Sequence, residues 1–208
     1  MSIQTAYDNW SSTYDLDRNL TRDLDQMIMR SILAHRKFKN TLELGCGTGK
    51  NTALLSEVSE TVLALDFSEG MIEQARQKVG AANVDFQVAD LTKDWPNQNE
   101  VYDLVACNLV LEHIEDLSCV FKEVYRSLCK GGVFHVSELH PFRQYQGGKA
   151  HFLRDGLVNE VQAYVHHVSD FLRAATENGL SLQVFNEYSH PDDEGKPPRL
   201  AVFMFQKE

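Results

Sequence analysis

No stretch of this chain approaches the roughly 20 consecutive apolar residues that a membrane-spanning helix needs. The opening residues, MSIQTAYDNWSSTYDLDRN, hold neither the basic start nor the apolar run of a secretory signal. Four cysteines, Cys46, Cys107, Cys119 and Cys129, form no CxxC pair, and no Cys/His cluster has zinc-site spacing. They read as small packed thiols in a reducing compartment, and no metal is expected. Lys and Arg form no run and number 20 against 30 Asp and Glu. The resulting formal charge of −10 repels a phosphate backbone, which excludes nucleic acid as a partner class. Internal repeats, low-complexity tracts and linkers are also missing. These absences leave the expectation of a cytoplasmic protein with no membrane or nucleic-acid partner.

What is present suits one globular domain. The 208 residues are 43% hydrophobic and 24% charged, enough for a sizeable core. From Asp15 to Lys37, Leu20, Leu24, Met27, Ile28 and Leu33 recur near helical spacing. Strand patterns follow at 41–45, 61–66, 83–90, 102–108 and 133–139. Between them lie helices at about 49–58, at 69–79 behind a Ser68 cap, and over Leu117 to Leu128, with Lys130 and Gly131 marking the last helix's end. Strand alternating with helix predicts a doubly wound α/β fold whose parallel sheet is covered on both faces. All strand C-terminal ends then share one edge, where such sheets bind ligands. After Leu139 the rhythm breaks. Residues 141–166 read as a hairpin-like insertion, 169–178 as a helix, and 180–188 with 200–207 as an antiparallel pair.

The sequence LELGCGTGKNT, residues 42–52, carries the chemistry. An ATP-type phosphate loop needs G-x-x-x-x-G-K-[ST]; Leu44 stands where its first glycine belongs and Asn51 where its hydroxyl belongs. A dinucleotide fingerprint needs G-x-G-x-x-G; here the spacing is Gly45-x-Gly47-x-Gly49, with Lys50 at the third glycine position. The context nevertheless matches a nucleoside site: strand, glycine turn, helix, then Asp66 at the end of the second strand, 19 positions after Gly47. A carboxylate there accepts both hydroxyls of a ribose. The loop therefore suits a nucleoside without phosphates.

Taken together, LELGCGTGKNTALLSEV, VLALDFSEGMIEQARQK, VADL, YDLVACNLVLEHIED and EVYRSLCKGGVFHVSE resemble the class I S-adenosylmethionine-dependent methyltransferases, in their small-molecule branch. The match runs from about residue 40 to 140. The resemblance implies a Rossmann-like sheet of order 3-2-1-4-5-7-6 and S-adenosylmethionine as cofactor. It implies that Glu43 helps hold the methionine end, while Gly45, Cys46 and Gly47 present bare backbone to it. Asp66 would bind the ribose, with Phe67 and Met71 flanking adenosine. Asp90 would reach the adenine amino group, with Leu91 as apolar neighbour, and Asn108 and Leu109 would pass the sulfonium. Tyr7, Trp10 and Tyr14 sit where relatives carry an aromatic N-terminal lid. No Pro-Pro-Tyr follows the fourth strand, which argues against amino methylation of adenine or glutamine, and no cysteine trio suggests arsenic methylation.

No indispensable catalytic base stands out. His113, His140, His166 and His167 are candidates, and Arg143, Tyr145, Lys149 and His151 suit a polar or anionic acceptor as well as a solvated loop. The expected organisation is one domain. Residues 1–38 form a lid and helix, 39–140 the cofactor core, 141–167 an acceptor-side insertion and 168–208 the closing helix and strands. The chain is expected to methylate a small molecule, as a monomer or homodimer. Two alternatives stay open: a non-catalytic cofactor-binding relative, and a nicotinamide-dependent oxidoreductase.

Overall fold

The computed structural model describes residues 2–16, 18–96, 101–154 and 157–208, excluding the side chains of residues 152–154 and 157. Two helices precede the sheet, α1 (Ile3–Trp10) and α2 (Leu20–Leu33). The expected single helix from Asp15 to Lys37 is thus shorter. Asn19 starts α2 by accepting from Thr21 and Arg22 N–H groups, and the chain leaves the helix at Ala34, before His35 turns left-handed. Helix α1 has its own Ser2 cap, which the sequence reading took only as part of a lid.

The core then alternates β1 (Phe38–Leu44), α3 (Lys50–Val58), β2 (Ser59–Asp66), α4 (Glu69–Lys78), β3 (Val84–Val88) and β4 (Tyr102–Asn108). A short 3-10 turn (Leu111–His113) leads to α5 (Leu117–Ser127) and β5 (Leu128–Leu139). Strand β5 starts earlier than expected. Lys130 and Gly131 lie inside it instead of ending α5, because left-handed Gly131 (φ +79°) absorbs a register shift opposite Tyr102 and Leu104. The insertion comprises α6 (Pro141–Tyr145) and the hairpin β6 (His151–Arg154) with β7 (Leu157–Glu160). Helix α7 (Val168–Glu177), β8 (Leu180–Tyr188) and β9 (Leu200–Lys207) complete the chain.

The seven-stranded sheet has the order β3-β2-β1-β4-β5-β9-β8, with β9 antiparallel to β5 and β8. This is the expected order. Alternation along each central strand feeds two cores. Leu42, Leu44, Leu63, Leu65, Val105 and Cys107 face α5 and α7, while Val62, Ala64, Leu104 and Ala106 face α2, α3 and α4. Phe203 of β9 is fully buried between Phe171 (ring centroids 5.0 Å) and Phe185 (4.8 Å), tying α7 and β8 to the sheet. Replacing Phe203 by Ala should cost about 3–5 kcal/mol, read as a lower urea midpoint at unchanged slope.

Candidate active site

The first glycine turn and the end of β2 are built as one unit. Leu44 ends β1 beside Leu65 of β2, and Cys46 N–H donates to the Leu65 carbonyl (2.9 Å). Gly47 N–H then donates to Asp66 Oδ2 (2.8 Å), and Ser68 N–H to Asp66 Oδ1 (2.9 Å). Both carboxylate oxygens are thereby aimed, each with lone pairs to spare. Burial raises the Asp66 pKa to about 6, against the opposing pull of these amide bonds. The turn needs glycine for two reasons. Gly45 (φ +69°) has Val110 so near that a Cβ would stand 2.2 Å from its Cγ2. Gly47 (φ +52°) is left-handed too, but a Cβ there would meet nothing within 4 Å and would stand in open space.

That space is a cavity of about 280 Å³. Gly45, Gly47, Asp66, Phe67 and Met71 form one side of it, and Asp90, Leu91, Asn108 and Leu109 the other. Tyr7 and Tyr14 close it from the N-terminal segment, and His113 stands at its edge. The structure therefore brings together ten of the twelve residues expected to hold a cofactor. Two acids, Asp66 and Asp90, and no Lys or Arg stand among its described lining residues. Burial pushes the Asp90 carboxyl up, but hydrogen bonds from Thr92 and the nearby Lys93 outweigh it and hold the carboxyl below its ordinary range. Such a lining fits a ligand rich in hydroxyl, amino and cationic groups and rejects a bare phosphate. Asn108 adds a buried Oδ1 without a donor, while its Nδ2 donates to Asp25 (2.8 Å).

Helix α1 lies over this cavity and is tied down at several points. Ser68 Oγ donates to Asp8 (2.6 Å), and Gln4 donates to the Phe67 carbonyl (2.8 Å). Tyr7, Trp10 and Tyr14 pack on one another, and Tyr7 also packs against Phe67 and His113. Tyr7 OH lies 2.7 Å from His113 Nε2, and His113 Nδ1 lies 2.8 Å from the Gln162 carbonyl. A carbonyl only accepts, so Nδ1 carries the proton and Nε2 accepts from Tyr7. Burial raises the Tyr7 pKa well above its ordinary value, so the phenol stays protonated.

Other expected site residues stand elsewhere. Glu43 lies behind the turn, where Thr52 of α3 donates to it (2.5 Å) and burial raises its pKa to about 8. Cys46 turns its side chain into the α2–α3–α4 core. His140 caps α6 by accepting from Phe142 N–H and pairs with Glu187 (2.7 Å). His166 donates to the Ile114 carbonyl (2.8 Å), and His167 caps α7 and bonds Tyr145. Of the four candidate histidines, only His113 lines the cavity; local capping and backbone bonds occupy the other three.

Two acids escaped the sequence reading. Asp25, on the apolar side of α2, receives Asn51 and Asn108 beneath the cavity. An acid among Leu24, Ile28 and Met29 was its signal. Glu138 of β5 accepts from Val110 and Leu111 N–H groups (2.9 and 2.8 Å), setting the bend after β4. Burial raises its pKa to about 8. Nothing in the spacing around Glu138 announces that role, since its partners lie 27 and 28 positions away.

Residues 42–136 match the family model described as a methyltransferase domain. Among curated proteins, the malonyl-[acyl-carrier protein] O-methyltransferase of Salmonella typhimurium is 31% identical over 138 residues, 66% of this chain and 53% of that protein. The ubiquinone/menaquinone biosynthesis C-methyltransferase UbiE of Desulfotalea psychrophila is 31% identical over 136 residues, 62% of this chain and 55% of that protein. The chain thus spans about half the length of these relatives. A solved structure of the N-methyltransferase NodS from Bradyrhizobium japonicum, in complex with S-adenosyl-L-homocysteine, shares the fold at TM-score 0.75 and 17% identity, covering 100% of this chain and 99% of that one. Among the described residues, no helix is long and apolar enough to cross a membrane. Over residues 42–136 the chain thus matches a methyltransferase domain, and its seven-stranded sheet has the order that the resemblance to class I S-adenosylmethionine-dependent methyltransferases implied.

Proposed function

We propose that the protein transfers a methyl group from S-adenosylmethionine to a small-molecule acceptor by in-line displacement. The observation that carries this reading is the Asp66 carboxylate, aimed by Gly47 and Ser68 amides into a cavity with no Lys or Arg among its described lining residues. Asp66 accepts from the ribose hydroxyls, Phe67 and Met71 flank the nucleoside, and Asp90 takes the adenine amino group beside Leu91. Gly45 and Gly47 offer backbone to the amino-acid end, beside Asn108. Leu109, left-handed at φ +60°, turns its backbone past the sulfonium. Tyr14 closes the cavity. Glu43 and Cys46 act from behind, by holding α3 and the turn in place.

When bound, S-adenosylmethionine supplies a methyl group on a sulfonium, whose departure needs no protonation. The protein therefore contributes alignment and exclusion of water, through the aromatic cover of α1. Where the acceptor arrives protonated, Tyr7 and His113 can take the proton. The acceptor's proton passes to Tyr7 Oη as the Tyr7 proton moves to His113 Nε2. The Gln162 carbonyl holds the Nδ1 hydrogen, so Nε2 is the nitrogen that faces Tyr7.

Calorimetry should show Asp66→Ala binding S-adenosylmethionine at least about tenfold more weakly, with the thermal midpoint as a control for folding. Equal affinities in mutant and wild type would remove the assigned site.

The raised Asp66 pKa predicts the pH dependence. Below about 6 the carboxyl is protonated in the free protein and loses its capacity to accept from both hydroxyls. Cofactor affinity should therefore be flat above that pH and fall by up to about tenfold per unit below it. Asp66→Asn should flatten this dependence.

Tyr7→Phe and His113→Gln should leave cofactor affinity within about threefold while lowering kcat about a hundredfold for a protonated acceptor. An unchanged kcat in both variants would remove the proton relay but not the methyl transfer.

A further inference from the structure

A second cavity, of about 620 Å³, opens on the acceptor side between the start of α2, the end of β5 and the insertion. Its charge is the reverse of the first. Arg18, Arg22, Arg143, Lys149 and Arg199 line it together with His151, and no Asp or Glu stands among the described lining residues. The acids that balance these cations sit behind or beside the wall. Buried Asp193 receives Arg199 through Nε and Nη2 (2.6 and 2.7 Å) and pairs with Arg143 (2.9 Å). Bonds from Arg199 hold the Asp193 pKa down at about 2. This buried acid fixes two guanidinium forks on one side of the cavity, which reduces what a ligand must order. Arg22 is fixed differently, donating to the Tyr14 carbonyl (2.5 Å) and stacking 4.0 Å from that ring.

The two cavities border one further space. A narrower space of about 80 Å³ is lined by Tyr7, Tyr14 and Leu109 of the first and by Trp10, Arg22 and Lys149 of the second. A molecule held by the cations would reach the glycine turn only through this space, past Tyr7, Tyr14 and Glu112. Because Arg18, Arg143 and Arg199 line only the far cavity, the charged group would be a handle held there, away from the reacting atom. Cations beside the nucleophile would damp its attack.

We propose that the methyl acceptor is a small organic anion whose carboxylate or phosphoryl group docks among Arg18, Arg22, Arg143, Lys149 and Arg199, presenting its nucleophile through the neck. This rests on the methyl-transfer reading for the direction in which the nucleophile points. The cationic site itself does not.

The test titrates the full-length protein, at low salt, with succinate, methylphosphonate and neutral succinamide, each with and without S-adenosylmethionine. One anion should bind at least about tenfold more tightly than succinamide and weaken with added salt, and the tighter anion identifies the docked group as carboxylate or phosphoryl. The double substitution Arg18→Gln with Lys149→Gln, both at exposed ion pairs, should raise that Kd about tenfold at unchanged cofactor affinity and thermal midpoint. Arg143→Gln serves as a second variant on the buried side. Anions binding no better than succinamide, or binding undiminished in both variants, would overturn the proposal. Anion binding without any cofactor binding would instead overturn the methyl-transfer reading and leave the cationic site standing.

Discussion

The site depends on one clasp: the Asp66 carboxylate receiving the Gly47 and Ser68 amides across the ends of two parallel strands. It joins the turn after β1 to the start of α4, so neither can move without breaking a buried, charge-assisted bond. The clasp also costs something. An acid held among apolar walls is destabilised in its charged form, and its raised pKa records that strain. A ligand that donates hydroxyls to the same carboxylate relieves it, which makes this acid suited to binding and poorly suited to mere structure.

Around the clasp, buried acids form a supporting layer. Glu43 holds Thr52 of α3, Asp25 gathers Asn51 and Asn108, and Glu138 gathers the amides after β4. Each ties a loop at the strand edge to an element beneath it. Glu43 and Glu138 have pKa values raised to about 8 by burial, so they hold their partners in the protonated form near neutral pH. A layer of this kind keeps the left-handed turns at Gly45, Gly47 and Leu109 in place, because amides on one side and acids on the other leave little alternative.

Charge is divided along the same edge. Acids line the first cavity and cations the second, while a space walled by Tyr7 and Tyr14 lies between. This division follows from topology. The first cavity draws on loops after β1, β2, β3 and β4, and the second on the α2 start, the β5 end, the insertion and the turn before β9. The chain's net negative charge conceals the second arrangement, because its arginines come from three separated segments.

Sequence alone determined the alternating β/α order and the glycine turn with its distant Asp66, while the strand order came from the family resemblance. Those features depend on local periodicity and on spacing within one supersecondary unit, which neighbouring residues specify. It also marked the loop acids through their place at strand ends, and the resemblance marked Tyr7 and Tyr14 as part of an N-terminal lid. Only tertiary structure decided which histidine reaches the cavity: His140, His166 and His167 each found a capping or backbone partner nearer than any ligand. Likewise Asp25, Glu138 and Asp193 acquire their roles from partners brought in across the fold, and long-range pairing leaves no period in the chain. The physical reason is range. Hydrogen-bonding repeat and apolar alternation act over a few residues, whereas the direction of a buried charge is set by whatever the folded chain puts opposite it.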